Sequence, residues 1–300
     1  MRISAQRWLV LAIPFLLVQP VFAAPAAQPG DIGLRHDIQV LADYGAISGP
    51  VTTWPISWDA VLADLEAIQA NDVVLPNKVL PTFNRMLDRA RREAGRGEAS
   101  FGGSLAGAEE PANIRGFANT PRERGELQAG VSWFSEHLSL DLNVSAVDDP
   151  ADGEDVRLDG SQLGVDLGNW SIAASTMERW WGPGWDGSLI LSNNARPVPA
   201  LTIGRNLTDA PTPQWLSWIG PWDMNIIWGQ LESDRAVPDA RFFGMRINAR
   251  PLKGFEIGIS RTAQWCGDGR PCGADTFWDL FLGQDNIGDD GTNLENEPGN

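Results

Sequence analysis

Leu138-Ser139-Leu140-Asp141-Leu142-Asn143-Val144-Ser145-Ala146 decides the fold class. Apolar and polar residues alternate without a break, and a period of two belongs to a strand, whose side chains leave on alternate faces. Leu127, Ala129, Val131 and Trp133 repeat the pattern against Gln128, Gly130 and Ser132. So do Leu163, Val165 and Leu167 against Gly164 and Asp166. Phe243, Met245, Ile247 and Ala249 alternate with Gly244, Arg246, Asn248 and Arg250, and Phe255, Ile257 and Ile259 with Glu256, Gly258 and Ser260. About ten such segments fit between Ala112 and Gln284 at ordinary strand lengths.

Two architectures accept this pattern. A soluble sandwich turns the apolar faces inward. A transmembrane barrel turns them outward to lipid and lines its lumen with the polar faces. Segments of ~8–11 residues suit tilted membrane-spanning strands. Trp133, Trp170, Trp222, Trp265 and Trp278 fall near strand ends, where a barrel carries an aromatic girdle. Asp141, Arg246, Arg250 and Glu256 suit a lumen, and equally a sandwich exterior. These features favour the barrel and leave the sandwich open.

Upstream the period changes. Leu34, Ile38, Leu41 and Ala42 mark a helix face, with Asp31 as N-cap and Gly45 as stop. Ser57 caps a second helix striped by Trp58, Val61, Leu62, Leu65 and Ile68. A third begins near Pro81 or Thr82, buries Phe83, Met86, Leu87 and Ala90, and ends in Arg89, Arg91 and Arg92, which suit the negative helix end. Three short helices make a thin core, so residues 24–95 are expected to dock onto something larger. His36, in the first helix, reads as a hydrogen-bonded structural residue. Residues 96–111, with Gly97, Gly102, Gly103 and Gly107, read as a Gly-rich linker, and 112–300 as the strand domain.

Residues 1–23 read as a signal peptide. Arg2 and Arg7 precede an apolar stretch from Trp8 to Phe22, and Val21-Phe22-Ala23 sets cleavage after Ala23. The stretch is shorter than the ~20 apolar residues of a spanning helix. Export makes a disulfide between Cys266 and Cys272 the expected state of the two cysteines.

Composition excludes some partners. The net charge is −16, which argues against nucleic acid. Fourteen tryptophans stand beside one tyrosine, a bias that suits membrane interfaces and sugar faces. The acidic runs 148–155 and 285–290 lack the spacing of a calcium loop, so they read as solvated loops, with no metal. No cofactor is implied, since a P-loop and a dinucleotide fingerprint are both missing. With His36 and His137 as the only histidines, no catalytic site is assigned. Glu178 and Asp186 would be the acid/base pair of a hydrolase, a reading that a chain with 39 carboxylates does not need.

Between the strands lies Glu178-Arg179-Trp180-Trp181-Gly182-Pro183-Gly184-Trp185-Asp186. Gly182, Pro183 and Gly184 force a bend. The three tryptophans therefore project from a constrained loop. They either stack on sugar rings or pack as a plug inside a barrel.

The run Arg179-Trp180-Trp181-Gly182-Pro183-Gly184-Trp185, followed by Ser188-Leu189-Ile190-Leu191-Ser192-Asn193-Asn194-Ala195-Arg196-Pro197-Val198-Pro199, resembles the capsule assembly protein Wzi family. So do Leu34-Arg35-His36-Asp37-Ile38-Gln39-Val40-Leu41-Ala42-Asp43-Tyr44-Gly45 and Pro50-Val51-Thr52-Thr53-Trp54-Pro55. The resemblance runs from about Asp31 to the last residue. It implies a mainly β fold: a large outer-membrane antiparallel β-barrel with a small N-terminal helical plug on the periplasmic side. It implies a lectin-like protein in the outer membrane, not an enzyme, that attaches capsular or extracellular polysaccharide to the cell surface. Outer-membrane lipid is the other partner, and a monomer is expected. The rivals are a porin-type channel and an exported polysaccharide hydrolase. The resemblance transfers no sugar site. By chemistry the candidates are Trp180, Trp181 and Trp185 for stacking, Asn193 and Asn194 for sugar hydroxyls, and Arg179 and Arg196 for glycan carboxylates. The chain stops at Glu297-Pro298-Gly299-Asn300, where a barrel would have a closing strand. It is therefore expected to be truncated, or not to close alone.

Overall fold

The computed structural model describes residues 25–150 and 152–283. The leader at 1–23, the acidic run at 285–290 and the terminal Glu297-Pro298-Gly299-Asn300 lie outside the described residues.

A helical unit comes first. β1 (Ala26–Ala27) precedes α1 (Ile32–Asp43), where the Asp31 carboxylate accepts the Leu34 N–H at 2.9 Å and satisfies one free donor of the first turn. β2 (Thr53–Trp54) and β3 (Ile56–Ser57) lead into α2 (Trp58–Ala70), capped by the Ser57 hydroxyl. α3 (Leu80–Glu93) carries proline in its first turn and Arg91 and Arg92 in its last. Leu34, Ile38, Leu41, Leu65, Met86 and Ala90 fill the core between them, joined by Trp54, Trp58, Phe117 and Trp180. His36 is exposed on α1 rather than packed in a hydrogen-bonded setting.

The strands follow: β4 (Ser100–Gly107), β5 (Gly125–Phe134), β6 (Leu138–Asp148), β7 (Val156–Arg157), β8 (Gln162–Leu167), β9 (Trp170–Ser175), β10 (Trp180–Trp181), β11 (Ala200–Arg205), β12 (Trp222–Gln230), β13 (Arg241–Leu252) and β14 (Phe255–Trp265). All except β10 form one antiparallel ten-stranded sheet, ordered β14-β13-β12-β11-β9-β8-β6-β5-β4, with β7 beside β6. β4 and β14 are its edges, and among the described residues it does not close.

The linker reading of 96–111 is corrected here. Ser100 to Gly107 is a full strand paired with β5 along its length. Its glycines sit at close backbone approaches: a Cβ on Gly103 would lie 3.1 Å from the Gln128 carbonyl oxygen. Phe101 and Leu105 carry the same period-two pattern as the other strands and are 77% and 67% exposed.

The sheet's amphipathicity is inverted. On β6 the polar Ser139, Asp141, Asn143 and Ser145 are buried, while Leu138, Leu142 and Val144 are exposed. Leu127, Leu163, Leu167, Leu201, Ile257 and Ile259 are exposed on the same outer face of their strands. A sandwich would bury this face, so the sandwich reading falls. What covers the polar face is the helical unit. Arg250 donates to the carbonyls of Ala42, Ile47 and Gly49, and Arg246 to the hydroxyls of Thr52 and Thr53. The Glu256 carboxylate accepts the backbone N–H groups of Val51 and Thr52. These bonds satisfy buried polar groups on both sides of the joint.

Past β14, Cys266 and Cys272 are joined by a disulfide. α4 (Ala274–Leu282) then lies over the outer face, where Phe277, Leu280 and Phe281 pack with Phe243 and Trp265. Two of the girdle tryptophans are therefore corrected: Trp265 is buried under α4, and Trp278 stands on that helix rather than at a strand end. Trp215 and Trp218, 75% and 69% exposed, stand instead on a 3-10 turn at Gln214–Ile219. No helix among the described residues is long and apolar enough to cross a membrane.

Candidate functional site

The connections differ at the two ends of the sheet. At one end they are the short 135–137, 168–169 and 253–254, with 206–221 the longer exception; at the other they are the long 108–124, 149–161, 176–199 and 231–240. The long connections carry every candidate site residue that the sequence nominates for binding.

Trp180 and Trp181 form β10, which pairs with β2 so that Trp180 faces Trp54 and Trp181 faces Thr53. Neighbouring strand residues point opposite ways. Trp180 enters the helical core, with Phe117 at 5.5 Å between ring centroids. Trp181 enters a pocket of the sheet formed with Ala200, Ile227, Leu231, Ala240 and Phe242. Gly244 makes room for it: a Cβ there would lie 3.3 Å from the indole and 2.7 Å from Ile227. At 0% and 2% exposure neither ring can reach a sugar, so their assignment to stacking is corrected. They clasp the helical unit to the sheet.

Trp185 is 38% exposed. Its inner side meets Arg35 of α1, whose guanidinium lies 4.5 Å from the Trp185 ring and 4.3 Å from Phe117, and donates to the Pro183 carbonyl at 3.0 Å. Burial pulls the Arg35 pKa down to about 10, which leaves it charged at neutral pH. Arg35 thus fixes the bend that presents Trp185.

Of the other nominees, Arg179, Asn193 and Arg196 are structural. Arg179 is buried and donates to the Met177 and Val198 carbonyls; burial lowers its pKa to about 10. Asn193 is 1% exposed and donates to the Phe117 carbonyl. Asn194 is exposed, and its side-chain oxygen accepts the Arg115 N–H at 3.1 Å. Arg196 is spent on Asp152, Glu154 and Asp159 at 2.7, 2.7 and 3.0 Å. A guanidinium already forked onto carboxylates offers little to a glycan acid.

Two further arginines, which the sequence reading passed over, complete the loop network. Arg115 donates to the carbonyls of Asn193 and Thr120. Burial, then the like charge of Arg122, lowers its pKa to about 10. Arg122 holds Glu178 at 2.6 Å and the Asn194 carbonyl at 3.3 Å. Glu178 is therefore committed to an ion pair, while Asp186 is exposed. The acidic run at 148–155 has a structural task, since Asp152 bridges Arg157 and Arg196. No group of three or more metal-ligating side chains is found among the described residues.

Residues 96–300 match the family model described as capsule assembly protein Wzi. An uncharacterized 55.8 kDa protein in the cps region of Klebsiella pneumoniae is 31% identical over 278 residues, covering 90% of this chain and 52% of that protein. The fold is similar to the solved structure of Wzi, an outer membrane protein involved in group 1 capsule assembly in Escherichia coli and a carbohydrate-binding β-barrel. The TM-score is 0.75 at 27% identity, over 85% of this chain and 57% of that one. This chain spans about half the length of the curated relative it matches.

Proposed function

The chain belongs to the capsule assembly protein Wzi family, and from that premise we propose that it is an outer-membrane β-barrel protein that holds capsular or extracellular polysaccharide on the cell surface by lectin-like, non-covalent binding. The inverted sheet carries this reading. An outward row of Leu, Val and Ile over a buried row of Ser, Asp and Asn is unstable in water and stable against lipid. Outer-membrane lipid is thus one partner and the glycan the other; the acidic chain takes no nucleic acid and works as a monomer. The leader exports it and is removed.

The helical unit acts as a plug, because its bonds to Arg246, Arg250 and Glu256 occupy the polar face that a channel would leave wet. Short turns belong on the periplasmic side and long loops outside. That puts Trp185 and Asn194 at the cell exterior, Trp185 to stack on a ring and Asn194 to meet hydroxyls. The function is binding rather than hydrolysis, since Glu178 is tied to Arg122.

The test is the ratio of cell-bound to released polysaccharide in a strain lacking the gene, complemented with this chain. Glycan that is made but shed, and held again on complementation, supports attachment. A fall in total glycan with an unchanged bound fraction overturns it. Single-channel conductance in planar bilayers would establish the porin-type alternative.

A further inference from the structure

Beneath the long loops, between the polar faces of β4 to β6 and the segment from Ala26 to Asp31, lies a cavity of about 260 Å3. It is just under the ~300 Å3 at which ordinary small-molecule sites begin. It suits one sugar ring rather than a run of chain. Asn119, on its wall, is exposed, so solvent enters there.

Its chemistry is that of amides and hydroxyls. Gln28, Ser104, Asn119, Thr120, Gln128 and Asn143 line it. Amide side chains both donate and accept, as sugar hydroxyls require. The cations on its wall are engaged within the protein, Arg115 on the Asn193 and Thr120 carbonyls and the others on carboxylates. Arg89 pairs with Asp31 at 2.9 Å and Arg122 with Glu178 at 2.6 Å. Arg157 is held by Glu123 and Asp152. An acidic sugar would find these cations already committed, with Glu126 and Asp159 also on the wall. A neutral hydroxyl would meet the amide and hydroxyl groups without bringing in a charge of its own.

We infer that this cavity binds one neutral hexose unit of the glycan. The inference rests on the lectin-like reading above and adds to it a site and a class of sugar. Acidic units of the polymer are left outside, which reconciles glycan binding with a chain of net charge −16.

The experiment is ligand-observed NMR on the detergent-extracted full chain, with galactose and glucuronate as separate probes and purified capsular polysaccharide as a third. Ala106 projects into the cavity from β4, opposite Glu126 in the register, and is not a hydrogen-bonding group. Ala106→Phe fills the space; Gln128→Leu removes an amide without filling it. The expected result is binding of galactose over glucuronate, weakened about tenfold by Ala106→Phe and less by Gln128→Leu, in protein whose heat-dependent gel migration is unchanged. Galactose binding that survives Ala106→Phe overturns the cavity, while polysaccharide binding in the same sample keeps the lectin reading. Preference for glucuronate overturns the neutral-sugar assignment. Absence of polysaccharide binding by the unmodified chain overturns both.

Discussion

Arg250 of β13 donates from Nη1 to the Ile47 carbonyl at 3.1 Å, across 203 residues of sequence. The same guanidinium reaches the Gly49 and Ala42 carbonyls at 3.0 and 3.2 Å. One cation therefore collects three backbone acceptors at the end of α1. Ala42 keeps the Gly45 N–H at 3.0 Å, so Arg250→Met falls on the Ile47 and Gly49 carbonyls, which lose their guanidinium donor at ~1–3 kcal/mol each before relaxation. The helical unit should loosen while the sheet survives. Limited trypsin digestion in detergent checks this: cleavage after Arg85 or Arg91 should accelerate in the variant. An unchanged digestion pattern would show that Arg250 does not secure the unit. Arg250→Lys should recover only part of the protection, because an ammonium lacks the planar fork.

Trp180 and Trp185 should separate stability from binding. Trp180 is fully enclosed by Trp54, Phe117 and the helices. Trp180→Ala should cost ~3–5 kcal/mol. Trp185→Ala should cost far less stability and lower polysaccharide retention, because that ring is the exposed one. Thermal band-shift and cell-bound glycan, measured on both variants, check this. Equal stability losses would place Trp185 in the core.

The outer face makes its own prediction. Leu142, in the middle of β6, is 42% exposed. Leu142→Arg should oppose membrane assembly by ~2–4 kcal/mol near the bilayer centre. Leu142→Phe should assemble normally. Fractionation of membranes after extraction with urea distinguishes the two. Normal insertion of the arginine variant would remove the lipid-facing assignment of this row.

Acid should undo part of the loop network. Burial acts to raise the Asp152 pKa, but hydrogen bonds from Arg157, the Glu154 N–H and Arg196 outweigh it and hold the carboxyl well below the usual range. Its contribution to stability is complete above the unfolded value near 4 and is lost as pH falls through the lower folded value. The group is largely open to water, so the contribution is under ~1 kcal/mol. Asp152→Asn should therefore be slightly less stable at pH 7, with the difference shrinking towards pH 2. A difference that grows on acidification would contradict the sign.

How much of this was legible depends on how far apart the partners lie. Asp31 and Ser57 act within one helical turn, and both caps can be read from the sequence. β6 and β13 announce themselves through long alternation. β4 does not, because Gly102, Gly103 and Gly107 imitate a linker, and their value comes from strand neighbours that a local reading does not see. The tryptophan cluster was legible as a feature and not as a role. Trp180 is buried by Trp54 and Phe117, neither of which is near it in sequence. Arg196 could be nominated for a glycan acid only while its three carboxylate partners were unplaced.

The joint between β13 and the α1 loop also sets a timetable. The helices leave the ribosome well before Arg246 and Arg250 do. Until β13 arrives, the Ile47 and Gly49 carbonyls and the Thr53 hydroxyl have no guanidinium to receive, and the growing sheet has nothing over its polar side. Contacts of such long sequence separation form slowly. The helical unit, made before the sheet, is thus among the last pieces to find its place, and both sides of the joint keep their polar groups uncovered in the interval.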